Sequence, residues 1–202
     1  LPVINDLSLN IKKTLLNYDS YGHRHSPVYL IFLSLFKKIG LSIENIRFLH
    51  LNLSLLLIIS FYKCLIFKFD KVEKNILLLL SLTIFLSPTF RSLAIWPSSR
   101  LIGLIFFVIS TYEFLKFLND PKKIYMWKNI IFLIISSYVS PNFSLFIIFF
   151  VYHYLKKVSF KDLIILLLFC FISSIPAFYY IFILDVNFLL AGTPGVSELE
   201  KV

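Results

Sequence analysis

The chain has 202 residues, 58% of them hydrophobic, 18% aromatic and only 15% charged, with a mean hydropathy of +0.85. A soluble domain carries about 25% charged residues, and 23 Phe with 11 Tyr against 5 Gly exclude both disorder and a fibrous repeat. Net charge is +9, but the cations fill gaps between apolar runs instead of forming a nucleic-acid patch, so the composition is that of an integral membrane protein.

In chain order, Leu7, Leu9, Ile11, Leu15 and Leu16 mix with Asn10, Lys12, Lys13 and Asn17, which predicts a short amphipathic helix. Residues 27–39 are apolar over about two-thirds of a membrane span and predict an interfacial or re-entrant helix. A crossing takes about 20 apolar residues for roughly 30 Å of hydrocarbon. Residues 48–62 are uncharged and extend to about Phe67 if Lys63 snorkels. Residues 75–90 form a shorter run ending at Ser87-Pro88, and 101–117 another, with Glu113 and Lys116 near its end as a self-neutralising pair. Residues 129–155 are uncharged but interrupted by Ser140-Pro141-Asn142, so they are one kinked span or, the favoured reading, two short ones. Residues 163–184 qualify as a span alone.

The expected fold is therefore all-α: a polytopic bundle of about six membrane helices, two of them short, preceded by juxtamembrane interfacial helices. It divides into an outer region 1–45, a membrane bundle 46–184 and the start of a further outer loop 185–202. The ends at Leu1 and Val202 predict a piece of a longer protein. Placing the first 45 residues outside puts Lys63, Lys68, Lys71 and Lys74, then Lys116, Lys122, Lys123 and Lys128, then Lys156, Lys157 and Lys161 on the inner side. That distribution follows the positive-inside rule. All four Arg fall outside.

The outer side also collects the chemistry. Residues 18–27 place Asp19, His23, Arg24 and His25 immediately before the interfacial helix, with Asp6 upstream. Arg91 and Arg100 bracket a short loop containing Trp96. Arg offers a planar fork to phosphate oxygens, and an acid beside it takes a proton from an attacking hydroxyl, which suits a lipid-linked phosphate. Plainer roles stand beside these: Arg91 and Arg100 as headgroup anchors, Asp19 as a turn residue, His50 as a structural hydrogen-bonding group. His153 reads as interface. Cys64 and Cys170 lie in apolar runs and read as core thiols. No phosphate loop, CxxC, HExxH or GxSxG occurs, and His23 and His25 lack the further ligands a metal needs, so no cofactor is expected.

His25-Ser26-Pro27-Val28-Tyr29-Leu30, followed by an apolar stretch, Gly40, Glu44 and Arg47, resembles the HPPLYY…G…E…R stretch of the GT-C membrane glycosyltransferases. These include the bacterial lipid A sugar transferases and the protein O-mannosyltransferases. Leu86-Ser87-Pro88 through Arg91 to Arg100 and the helix beyond is similar to the family's third and fourth membrane helices. The likeness runs from about residue 6 to 184.

The resemblance implies transfer of a sugar from a polyprenyl-phosphate donor to a glycan, lipid or protein acceptor. The site would lie on the outer face of a bacterial inner membrane. It assigns Asp6 as the base, with Asp19 as the fallback, and Arg24, His25, Arg91 and Arg100 to the lipid phosphate and sugar. A second acid does not follow Asp6, and the second proline of HPP is displaced, this chain having Ser26-Pro27. A transporter or lipid flippase, or a non-catalytic membrane scaffold, remains the alternative; convergence of these residues on one outer cavity separates the transferase from the scaffold.

Overall fold

The computed structural model describes residues 2–21 and 26–178, so Arg24, His25, the end of the last apolar run and the region 185–202 lie outside the described residues. The described residues form ten α-helices and no strand. The expected opening helix is two, α1 (Pro2–Leu9) and α2 (Ile11–Leu16), because Asn10 starts α2 afresh by accepting the Lys13 amide at 3.0 Å.

The interfacial helix is α3 (Val28–Lys38). It ends where Gly40, at φ +96°, lets the Leu41 amide reach the Phe36 carbonyl and its own amide reach Lys37. Ser42 then caps α4 (Ile43–Lys68). This tight reversal lays α3 back against the start of α4.

The rest of the chain runs back and forth. After α4 come α5 (Lys74–Leu82), α6 (Pro88–Ile95), α7 (Ser99–Asn119), α8 (Lys123–Val139), α9 (Phe146–Tyr154) and α10 (Phe160–Phe178). Among them α4, α7 and α10 are long and apolar enough to cross a membrane. At 1.5 Å per residue α4 is about 39 Å long, whereas α9 reaches only about 14 Å.

The run expected to end at residue 90 instead bends by 71° at Ser87 and continues as α6; counted as one span, the bent pair makes a fourth. Proline supplies the cause, since Pro88 has no N–H to continue the ladder and Ser87 takes an extended backbone and caps the new helix through the Phe90 amide.

The stretch 129–155 is two helices. Ser140 and Pro141 stop α8, a 3-10 turn Pro141–Leu145 follows, and α9 returns alongside it. The return is pinned far from the turn, where the Tyr154 hydroxyl donates to Asn129 Oδ1 at 2.6 Å. Asn129 in turn donates to Ser110 O and Oγ at 2.9 and 2.8 Å, so this fully buried amide is satisfied by α7 and α9.

Two buried clusters divide the bundle lengthwise. One, with Tyr29, Ile46, Phe90, Ala94, Leu101 and Val139, lies at the end carrying Arg47, Arg91 and Arg100. The other, with Phe117, Met126, Ile130, Phe150, Tyr154 and Leu166, lies at the end carrying the lysine-rich connections. We call these the arginine end and the lysine end. At the lysine end Lys123 pairs with Asp162 at 2.9 Å and Lys157 donates to the Leu118 carbonyl at 2.7 Å. Large apolar side chains on the outside, such as Leu79, Ile148 and Phe171, stay exposed, as a lipid-facing surface requires.

With lipid as solvent, apolar burial between helices gains little, and close packing with interhelical hydrogen bonds takes over. The α7–α8 contact follows this rule. Gly103 lets the helices touch: a Cβ there would lie 2.6 Å from Ser140 Cβ, and the Ser136 hydroxyl donates to the Gly103 carbonyl at 2.7 Å. Gly103→Ala is expected to destabilise the protein by about 1–3 kcal/mol through overpacking, seen as a lower Tm in detergent with helix content unchanged before the transition.

Candidate functional site

The arginine end is closed by a cap of α1, α2 and α3. Helix α1 buries Val3, Ile4 and Leu7, and Tyr18 completes a small core with Val3 and Leu7. Anchoring α1 in this way leaves Asp6 half-buried on its adjoining face. The Tyr21 hydroxyl donates to Asp6 Oδ2 at 2.6 Å. That bond to a carboxylate, more than burial, holds the Tyr21 phenol above the usual tyrosine range. Asp19 belongs to the same 3-10 turn, Tyr18–Tyr21.

Tyr21, Leu15 and Ile31 pack on that small core, and Leu15 and Ile31 also line a cavity of about 450 Å³. The other walls come from the end of α8, the 3-10 turn after it, Ile147 of α9 and the last turns of α10 from Cys170 to Ala177. Several hydroxyls line the cavity, yet they are spent on backbone. Ser137 donates to Leu133 O, Ser174 to Phe171 O, Ser26 to Tyr138 O at 2.5 Å, and Tyr138 to Ser173 O. With four of its hydroxyls turned into the walls and mostly apolar side chains around them, the space favours an apolar chain over a polar headgroup.

The second part of the site is the elbow between α6 and α7. Leu93 lies four residues before Pro97, so its carbonyl has no helical donor. His50 of α4, fully buried, supplies one: Nε2 lies 2.8 Å from Leu93 O. A carbonyl only accepts, so Nε2 carries the proton and Nδ1 accepts from the Tyr29 hydroxyl of α3 at 2.5 Å. The Ser98 amide nitrogen lies 3.4 Å from the same Nε2, which is then protonated and no acceptor for it. One turn earlier on α4, the Arg47 guanidinium stacks over the Trp96 ring at 4.3 Å.

Arg91 sits on α6 and Arg100 in the first turn of α7; both are exposed, with no hydrogen-bond or ion-pair partner among the described residues. Arg100 adds a cation to a helix start that has no acid in its first turn and no side-chain cap, so this corner is electropositive. Asp6, Arg91 and Arg100 thus share one end of the bundle, and no bond joins the acid to either guanidinium among the described residues.

Sequence reasoning singled out Asp6, Arg91 and Arg100 but missed Tyr21 as the partner of Asp6, Tyr29 as the partner of His50 and Arg47 as the partner of Trp96. Pro97 was the available signal for the His50 bond, because it strands a carbonyl that something must satisfy. Among the described residues no three His, Cys, Asp or Glu come together as a metal site. His153 is packed edge-on against Phe114, Phe149 and Tyr152.

Comparison with protein-family models, with curated proteins and with solved structures finds no match.

If the cavity holds a lipid chain, filling it must expel that chain. Ser137→Trp is expected to abolish co-purification of lipid by native mass spectrometry, while Ser174→Ala, which leaves the volume open, retains it.

Proposed function

We propose that this chain is a membrane glycosyltransferase of the GT-C kind, moving a sugar from a polyprenyl-phosphate or similar lipid-phosphate donor to a glycan, lipid or protein acceptor. On this reading α4, the bent α5–α6 pair, α7, α8, the 3-10 turn with α9, and α10 make six crossings. The arginine end faces the non-cytoplasmic side of a bacterial inner membrane. The observation that carries the reading is an apolar cavity of lipid-tail dimensions whose walls Leu15 and Ile31 also pack, with Tyr21, on the small core of α1; Asp6, Arg91 and Arg100 share that end of the bundle but do not line the cavity.

The donor tail occupies the cavity and its phosphate lies towards the rim, where Ser26 and Pro27 follow Arg24 and His25 in sequence. Asp6, oriented by Tyr21, takes the proton of the acceptor hydroxyl as its oxygen bonds to the anomeric carbon. The bond from that carbon to the phosphate oxygen breaks, and the lipid phosphate leaves with the electron pair. Arg91, Arg100 and Arg24 balance the charge that builds on it. Asp19 takes the base role if Asp6 proves dispensable.

The 71° break between α5 and α6 favours a second reading, since lipid and solute transporters use broken helices around their binding sites. One assay separates the two: the full chain in liposomes with a polyprenyl-phosphate-linked sugar and a mixed acceptor extract. Asp6→Asn is expected to lose about 10²–10⁴-fold in transfer with donor binding retained, and Arg91→Ala or Arg100→Ala about 10²–10³-fold. Full transfer by Asp6→Asn rejects Asp6 as base, and lipid translocation without transfer selects the transporter.

A further inference from the structure

The α6–α7 elbow carries both exposed arginines, yet little of its own structure holds it. Helix α6 has eight residues and ends before Pro97, and the Ser98 side chain makes no cap bond to α7. Besides the apolar packing of Phe90, Ala94 and Leu101, the elbow is held from α4 at two points one turn apart: the His50 ring on the Leu93 carbonyl and the Arg47 guanidinium on Trp96. Through Nδ1 the same ring is joined to Tyr29 of the cap, which also carries Asp6.

We propose that His50 is a positioning residue: by donating to Leu93 O while accepting from Tyr29, it sets the elbow bearing Arg91 and Arg100 in register with the cap bearing Asp6. The imidazole is suited to this because its two nitrogens face opposite partners with opposite roles, one donor and one acceptor, in a single rigid ring. The register matters because leaving-group stabilisation depends on donors fixed in advance near the developing charge. This inference rests on the lipid-phosphate reading for its purpose, but not for its geometry.

Gln and Asn separate the two bonds. The amide nitrogen of His50→Gln extends to the place of Nε2 and keeps the donor to Leu93, whereas His50→Asn stops at the place of Nδ1 and leaves that carbonyl stranded. The readout is acrylamide quenching of Trp96 in a Trp127→Phe background, where it is the one remaining tryptophan. His50→Gln, which gives up only the Tyr29 bond, is expected to raise quenching no more than Tyr29→Phe does. His50→Asn, which strands the Leu93 carbonyl, is expected to raise it further, up to the roughly fivefold population shift that one net hydrogen bond sets. Equal quenching in the two variants overturns the assignment, since a space-filling histidine would be replaced equally well or badly by both.

Tyr29→Phe removes one hydroxyl and no volume from α4; it is expected to raise quenching by a smaller factor. An unchanged value there, with His50→Asn failing to fold, also overturns the assignment. In phosphatidylcholine vesicles, the affinity of His50→Asn for added polyprenyl monophosphate is expected to fall by a similar factor and that of His50→Gln to stay within twofold. If the parent, reconstituted in phosphatidylcholine vesicles, shows no saturable binding of added polyprenyl monophosphate, the lipid-phosphate reading fails while the quenching contrast still decides the role of His50.

Discussion

A backbone carbonyl stranded in hydrocarbon costs several kcal/mol, because no water is there to satisfy it. Among the described residues three helix-end carbonyls near prolines are taken up by side chains, two in partly buried surroundings, Leu93 before Pro97 and Tyr138 before Pro141, and one at an exposed connection, Leu118 before Pro121. Each is met by a side chain from a remote segment: His50, Ser26 and Lys157 respectively. Turns that break the helices thereby become the points that tie distant parts together. The fold depends on these bonds more than on any one apolar contact, since apolar side chains are nearly as well placed against lipid.

The two ends of the bundle use this constraint differently. At the lysine end the donor is a charged amine on a surface connection, and the neighbouring charges pair with each other, as Lys123 does with Asp162. At the arginine end the donors are neutral and buried, and the charged groups Arg91 and Arg100 are left exposed. Spending neutral groups on structure leaves the guanidinium groups available for an anion. The apolar cavity follows the same logic, with Ser26, Ser137, Tyr138 and Ser174 committed to carbonyls and most of its lining left apolar.

Much of the helical layout was legible in the sequence. The apolar runs at 48–62 and 101–117 are flanked by charge, and they became the cores of α4 and α7 with ends shifted by a few residues. Ser140-Pro141 marked the α8–α9 reversal for a local reason, the loss of an N–H. The start of α6 falls in the apolar run 75–90 and the rest, from Arg91, reads as loop, since Arg91, Ser92 and a buried face of only Phe90 and Ala94 leave too little period in eight residues. The site was legible only in part. Asp6 and the arginines stood out as charges, but the Tyr21 bond spans 15 positions and the cavity draws on six elements from α2 to α10, and neither leaves a periodic trace.

The three remote carbonyl bonds also carry a direction in time. Ser26 and His50 precede the carbonyls they satisfy, so during N-to-C synthesis their donors are already in place when α6 and α8 emerge. Lys157 follows Leu118, so the end of α7 stays open until α9 has been made. Of the three bonds the one at the lysine end is thus the last to become possible, and a nascent chain that has emerged to between residues 139 and 157 holds both pairs of the arginine end while the Leu118 carbonyl still waits for its donor.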